Sequence, residues 1–186
     1  MATGVESTAS SRIERELIFG VEYFRMKEER LEPASPSEPD KGKDRLSSAE
    51  RSVLMAKVKG SGTKPEESVR KALFREGFRY RKNVARLPGK PDIVLAKYKA
   101  IVFVHGCFWH QHENCPESAL PQTRQEYWTP KLRKNAERDQ WNAERLKENG
   151  WRVFIVWECE LRPRLFQNTM NQLINNLREI VKTEPE

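Results

Sequence analysis

This chain of 186 residues contains three cysteines and three histidines, and most of them crowd into one short segment. Cys107, His112 and Cys115 lie together in CFWHQHENC, and Cys159 ends a distant apolar run. A Cys3His set fills the four tetrahedral positions of a structural zinc ion and leaves none for water. Such a site constrains the fold without reacting, because it obliges a loop near residue 110 and a strand end near residue 159 to meet. Two other readings compete. A Cys107–Cys115 disulfide leaves Cys159 without a partner, and no secretory signal points to an oxidising compartment. Three ordinary buried thiols are the other alternative. Cysteine–histidine clusters in cytosolic chains favour metal or catalysis over disulfides, and zinc is the expectation carried forward.

The length suits one domain of about 100–150 residues with a tail. Lys+Arg 34 against Asp+Glu 27 gives a formal charge of +7, a balance that suits a polyanionic partner or simple solubility. No stretch approaches the roughly 20 apolar residues of a membrane helix, and the N-terminus lacks the charged head and apolar run of a signal peptide. A soluble, cytoplasmic protein is expected.

Residues 1–44 hold Pro33, Pro36 and Pro39 among Ser, Glu and Lys, a mixture that buries too little surface to offset its ordering entropy. A disordered N-terminal tail is expected there. Ile13, Leu17, Val21 and Phe24 recur at helical spacing within it, but isolated short helices are marginal in water. Met26 is an alternative start. The domain is expected over 45–186 and opens with a basic arm at 45–62, which carries Arg51, Lys57 and Lys59 and breaks at Gly60-Ser61-Gly62.

Thr63 caps a helix with Pro65 and Glu66 in its first turn, and Gly77 ends it. Phe78 to Arg81 alternates at the strand period, Leu87-Pro88-Gly89 turns, and Asp92 to Leu95 is a further short strand. After a hairpin turn at Lys97 to Lys99, the continuously apolar Ala100 to Val104 reads as a strand buried on both faces. A long helix follows through Leu132, Ala136, Ala143 and Leu146, closed by Gly150. Trp151 to Trp157 reads as another buried strand, and Trp151 and Trp157 as core. Phe166, Met170, Leu173, Ile174 and Leu177 give the last helix its core face. This order describes an α/β domain with a mixed sheet.

Asp92, in LPGKPDIVL, stands at the entry of a core strand, where a rigidly mounted carboxylate can ligate Mg²⁺. An exposed turn aspartate is the equal alternative on that fragment alone. From about Asp44 to Leu165 the chain resembles the Vsr family of very-short-patch repair endonucleases, through ERSVLMAKVKGSGTKPE, LPGKPDIVL, VFVHGCFWH, KLRKNAERD and GWRVFIVWEC in that order. The resemblance implies a restriction-endonuclease-like (PD-(D/E)xK-type) fold: a mixed sheet flanked by helices, here with a structural zinc. It also implies nicking of the thymine strand 5′ to the T of a T:G mispair left by 5-methylcytosine deamination.

By that resemblance Asp92 is the metal-binding aspartate, and Val104 offers a backbone carbonyl to the same Mg²⁺. A member of the family has threonine at that position, so valine departs from it, although a carbonyl ligand survives the change. His105, His110 and Glu66 complete the implied catalytic set; His110 is expected as general base, because an imidazole suits neutral pH, with His105 at the phosphate or leaving group and Glu66 positioning a metal-bound water or His110. Phe108, Trp109 and Trp128 are implied to intercalate beside the mispair, at a cost of a few kcal/mol per unstacked step that contacts recover. Lys131, Lys134, Asn135 and Arg138, with Arg51, Lys57 and Lys59, are the candidate phosphate contacts, which set position and salt dependence more than sequence choice. A monomer acting on mismatched double-stranded DNA is expected, with mismatch-repair proteins as further partners. Two rivals stand beside it: a restriction-type nuclease cutting both strands, and a zinc-stabilised DNA-binding protein without catalysis.

Overall fold

The computed structural model describes residues 48–57 and 60–183. The expected tail at 1–44, its periodic segment and Lys59 lie outside the described residues. Helix α1 spans Ser48–Ala56 and exposes Val53, Leu54 and Met55. Helix α2, Lys64–Arg75, begins at Thr63 with a full capping box: the Thr63 side chain accepts from the Glu66 N–H and the Glu66 carboxylate accepts from the Thr63 N–H. Its far end is a Schellman motif. Gly77 takes φ +87°, the Gly77 and Phe78 N–H groups return to the carbonyls of Phe74 and Leu73, and Phe78 enters the core beside Leu73.

That ending explains why the alternation from Phe78 makes so little strand. The Phe78 donor is consumed by the helix, and β1 is only Arg81–Lys82. Strand β2 is Ile93–Leu95 and β3 is Ala100–His105, joined by a 3₁₀ turn at Ala96–Tyr98 with Lys99 left-handed. Helix α3, Gln125–Glu148, ends in the same way as α2, with Trp151 N–H on the Leu146 carbonyl, and it leads into β4, Arg152–Trp157. A 3₁₀ turn at Glu158–Leu161 and helix α4, Pro163–Thr183, follow.

The sheet order is β1-β2-β3-β4. The first two pairings are antiparallel, with Ile93 opposite Val102. The third is parallel, with His105 opposite Trp157. Alternate strand residues serve opposite faces. Ile93, Leu95 and Val102 pack with Val69 and Leu73 of α2 and Met170 and Leu177 of α4, while Val94, Ile101 and Phe103 pack with Leu146 of α3. The mixed α/β architecture is therefore a four-stranded sheet between helices. The β1–β2 turn is pressed onto α3, since a Cβ on Gly89, which has φ +71°, would meet the Asn142 side chain at 3.1 Å.

One strand departs from expectation. β4 is not buried on both faces; Val156 alone is fully buried and Ile155 is 44% exposed. The cause is its place at the sheet edge, beyond β3. Trp151 and Trp157 are accordingly half-buried, not core. Trp151 packs against the smaller apolar cluster, and Trp157 lies flat on His112 with ring centroids 4.1 Å apart. Among the described residues no helix is long and apolar enough to cross a membrane.

Candidate active site and metal centre

Strand β3 ends at His105, and the loop after it turns tightly: His110 N–H bonds the Gly106 carbonyl and His112 N–H that of Cys107. Gln111 and Asn114 are left-handed. These turns fold Cys107, His112 and Cys115 inward, and the parallel pairing of β3 with β4 brings Cys159 to the same end of the sheet. The ligand atoms of all four residues lie within 4.8 Å of one another; His112 Nδ1 is 3.3 Å from Cys159 Sγ and 3.6 Å from Cys107 Sγ. Tetrahedral bonds of about 2.0–2.3 Å put donor atoms roughly 3.5 Å apart, so the set fits one metal ion. The three cysteines are unpaired, so none is committed to a disulfide. Burial first, then Cys107 and Cys115 beside it, push the Cys159 thiol up to about 12. A coordinated cation reverses that preference, because a coordinating thiol is deprotonated outright.

The second constellation lies on the other side of Trp157, whose ring meets His105 edge-on at 5.4 Å. Asp92, just before β2, accepts the Val104 N–H at 2.9 Å through Oδ2. Val104 lies two residues past the antiparallel register, which reaches Val102; in an extended strand a residue's N–H and C=O point to the same side, which puts the Val104 carbonyl on the Asp92 flank. A carboxylate and a strand-end carbonyl are the hard oxygen donors that Mg²⁺ takes. Burial raises the Asp92 carboxyl above its ordinary range, the Val104 N–H opposes this, and Glu66 adds to it. A cation at Asp92 would relieve both the burial and the repulsion.

His105 is buried and stacks face to face on His110, with centroids 3.8 Å apart and planes 8° from parallel. Burial, reinforced by His110, brings the His105 imidazole down to about 3 against the opposing Asp139, so it is neutral at physiological pH. His110 Nδ1 is 2.5 Å from Asp139 Oδ2 on α3. A carboxylate only accepts, so the proton of this bond sits on Nδ1, and in the neutral ring Nε2 keeps the lone pair. Ligand atoms of His105, His110 and Asp139 also lie within 4.8 Å of one another. Imidazole lone pairs lie in the ring plane, however, and two parallel stacked rings cannot aim theirs at a common ion. The cluster is better built to move a proton than to hold a metal.

A family model, that of the DNA mismatch endonuclease Vsr, matches residues 43–116. A type II nicking enzyme of Neisseria meningitidis serogroup A is 45% identical over 139 residues, covering 74% of this chain and 99% of the relative. The chain belongs to the Vsr family. The DNA mismatch endonuclease Vsr of Escherichia coli K12 is 45% identical over 116 residues, 62% of this chain and 74% of that protein. A type II nicking enzyme of Xanthomonas oryzae is 47% identical over 118 residues, 63% and 86% of the two chains. The family match ends at Pro116, so it does not reach Asp139 and Cys159, which the fold brings to the same two constellations.

The remaining expected residues fall into place unequally around this Vsr-family site. Glu66 is buried, but its carboxylate accepts from Gly62 N–H, Thr63 N–H, the Thr63 hydroxyl and Arg70; it faces Asp92 through charge while its oxygens are committed to the helix cap and Arg70. Phe108, Trp109 and Trp128 form an edge-to-face cluster with centroids 5.1 to 5.9 Å apart, and Lys131 Nζ lies over the Trp109 and Trp128 rings. Asn135 donates to the Trp109 carbonyl at 3.3 Å, which ties the loop to α3. Lys57, Lys131, Lys134 and Arg138 are exposed, and Arg51 lies on α1. Sequence reasoning missed Asp139 and Arg70. Asp139 follows Asn135 by one turn on the loop-facing side of α3, and Arg70 follows Glu66 at i,i+4 on α2, a spacing that marks an ion pair.

Proposed function

We propose that this Vsr-family chain is a Mg²⁺-dependent DNA mismatch endonuclease that nicks the thymine strand 5′ to the T of a T:G mispair and so initiates very-short-patch repair. The observation that carries the reading is the Asp92 carboxylate on the Val104 N–H, near enough to His110 of the His105–His110–Asp139 cluster to feel its charge, with Phe108 and Trp109 on the loop that carries His110. The sheet between helices is consistent with a restriction-endonuclease-like fold, and the Cys3His set is read as structural zinc, which holds that loop.

Mg²⁺ held by Asp92 and the Val104 carbonyl would neutralise charge on the scissile phosphate and assist the leaving oxygen. His110 takes the proton of the attacking water at Nε2, because Asp139 already holds Nδ1–H and stabilises the imidazolium that forms. Neutral His105, packed against His110 and Trp157, offers a ring nitrogen to the phosphate or the leaving group. Phe108, Trp109 and Trp128 wedge beside the mispair. Lys131, Lys134 and Arg138, with the α1 arm, hold phosphates. Glu66 orders the α2 N-terminus beside Asp92.

A duplex carrying a T:G mismatch in a methyltransferase-type site, incubated with Mg²⁺ and either the native protein or Asp92→Ala, tests the reading. The native protein is expected to nick the thymine strand and the variant to lose at least ~10²-fold. No nick, or undiminished nicking by the variant, refutes it. Cutting of both strands of a perfectly paired duplex points to a restriction-type nuclease, and binding without cleavage to a non-catalytic DNA-binding protein.

A further inference from the structure

Arg70 is 6% exposed, and three separate segments meet at its guanidinium. One terminal nitrogen, Nη2, donates to Glu66 Oε2 at 2.8 Å, to the Asn83 side-chain oxygen at 3.4 Å and to the main-chain carbonyl of Asp92 at 3.1 Å. The Arg70 carbonyl in turn accepts the Tyr80 hydroxyl at 3.2 Å. Asn83, just past β1, is itself left-handed at φ 47°, a conformation asparagine tolerates better than most residues. Among the described residues the Arg70 Nε is buried with no hydrogen-bond partner. An orphaned buried donor and a desolvated ion pair are poor ways to gain stability. What the arrangement does achieve is a fixed grip on the backbone of Asp92.

We propose that Arg70 is a positioning residue for Asp92. By holding the Asp92 carbonyl and tying it through Glu66 to the capped start of α2, it keeps the Asp92 carboxylate at the Val104 flank against the charge of Glu66. Without that grip the Asp92 backbone loses its tie to α2, and the side chain that bonds Val104 is the same one that must engage a cation. The proposal rests on the reading of Asp92 as a divalent-ion ligand.

The test uses the full-length protein as native, Arg70→Ala, Arg70→Lys and Asp92→Ala forms. Mn²⁺ binding without DNA is followed by electron paramagnetic resonance, beside thermal melting and nicking over a Mg²⁺ series. Asp92→Ala is expected to abolish the tight Mn²⁺ site. Arg70→Ala is expected to weaken it at least tenfold and to raise the Mg²⁺ half-saturation of nicking by the same factor, with added guanidinium recovering part of both. Arg70→Lys, which keeps the charge and loses the planar fork, should fall between. Native Mn²⁺ affinity and Mg²⁺ half-saturation in folded Arg70→Ala overturn the role of Arg70 alone. Should Arg70→Ala fail to melt cooperatively, the same native values in Arg70→Lys overturn it. Native Mn²⁺ binding by Asp92→Ala overturns the proposal together with the reading beneath it.

Discussion

Asp139 reaches His110 from α3 and settles which imidazole nitrogen stays free. A base oriented by a carboxylate depends on that carboxylate for its tautomer, since an amide in its place can donate where an acceptor was needed. Asp139→Asn is therefore expected to lower the single-turnover nicking rate by on the order of 10²–10⁴-fold while DNA affinity and melting temperature stay near native. Nicking at the native rate would remove Asp139 from the chemistry. At this scale the sequence was legible where residue types are rare: three cysteines and three histidines leave few ways to build a site. Asp139 and Arg70 were hidden because acidic and basic residues on helices are ordinarily solvated, and only the packing of α3 on the loop and of α2 on β2 brings Asp139 to His110 and Arg70 to the Asp92 carbonyl. Asn135, read as a phosphate contact, holds the Trp109 carbonyl for the same reason.

The helices were legible as elements because their ends carry their own chemistry. Thr63 and Glu66 specify the start of α2, and Gly77 and Gly150 specify where α2 and α3 stop. Thr63→Ala removes the reciprocal cap and is expected to cost about 1 kcal/mol, read as a lower urea midpoint, with Thr63→Ser close to native; an unchanged midpoint would mean that the cap contributes nothing. Strands were less legible, because burial on both faces belongs to a strand's neighbours. Ala100 to His105 and Arg152 to Trp157 are similarly apolar runs, yet β3 is central and β4 is the edge. Nothing local distinguishes them. The short β1 likewise depends on the Phe78 donor having been taken by α2.

For the molecule as a whole, the proposed zinc centre is one link between the loop after β3 and the end of β4, beside the strand pairing and the Trp157–His112 stack. The Arg162–Glu117 ion pair joins the same two regions, but exposed ion pairs contribute little. Cys159→Ser is expected to leave purified protein with much less than one equivalent of zinc and to lower its melting temperature by about 5 °C or more, the shift that ~1–2 kcal/mol produces in a domain of this size. Nicking should fall with it, because His105 and His110 flank Cys107. Full zinc content in this variant would contradict the Cys3His set.

Parallel strands cannot be joined by a tight hairpin; they need a long crossover, here the whole of α3 between β3 and β4. During synthesis the chain emerges N-terminus first at about 5–20 residues per second. Cys107, His112 and Cys115 therefore leave the ribosome as an incomplete set. They wait several seconds while α3 is translated, and the last cysteine arrives only with the end of β4. Closure of the proposed metal centre would thus mark the moment at which the nascent sheet has acquired its final strand.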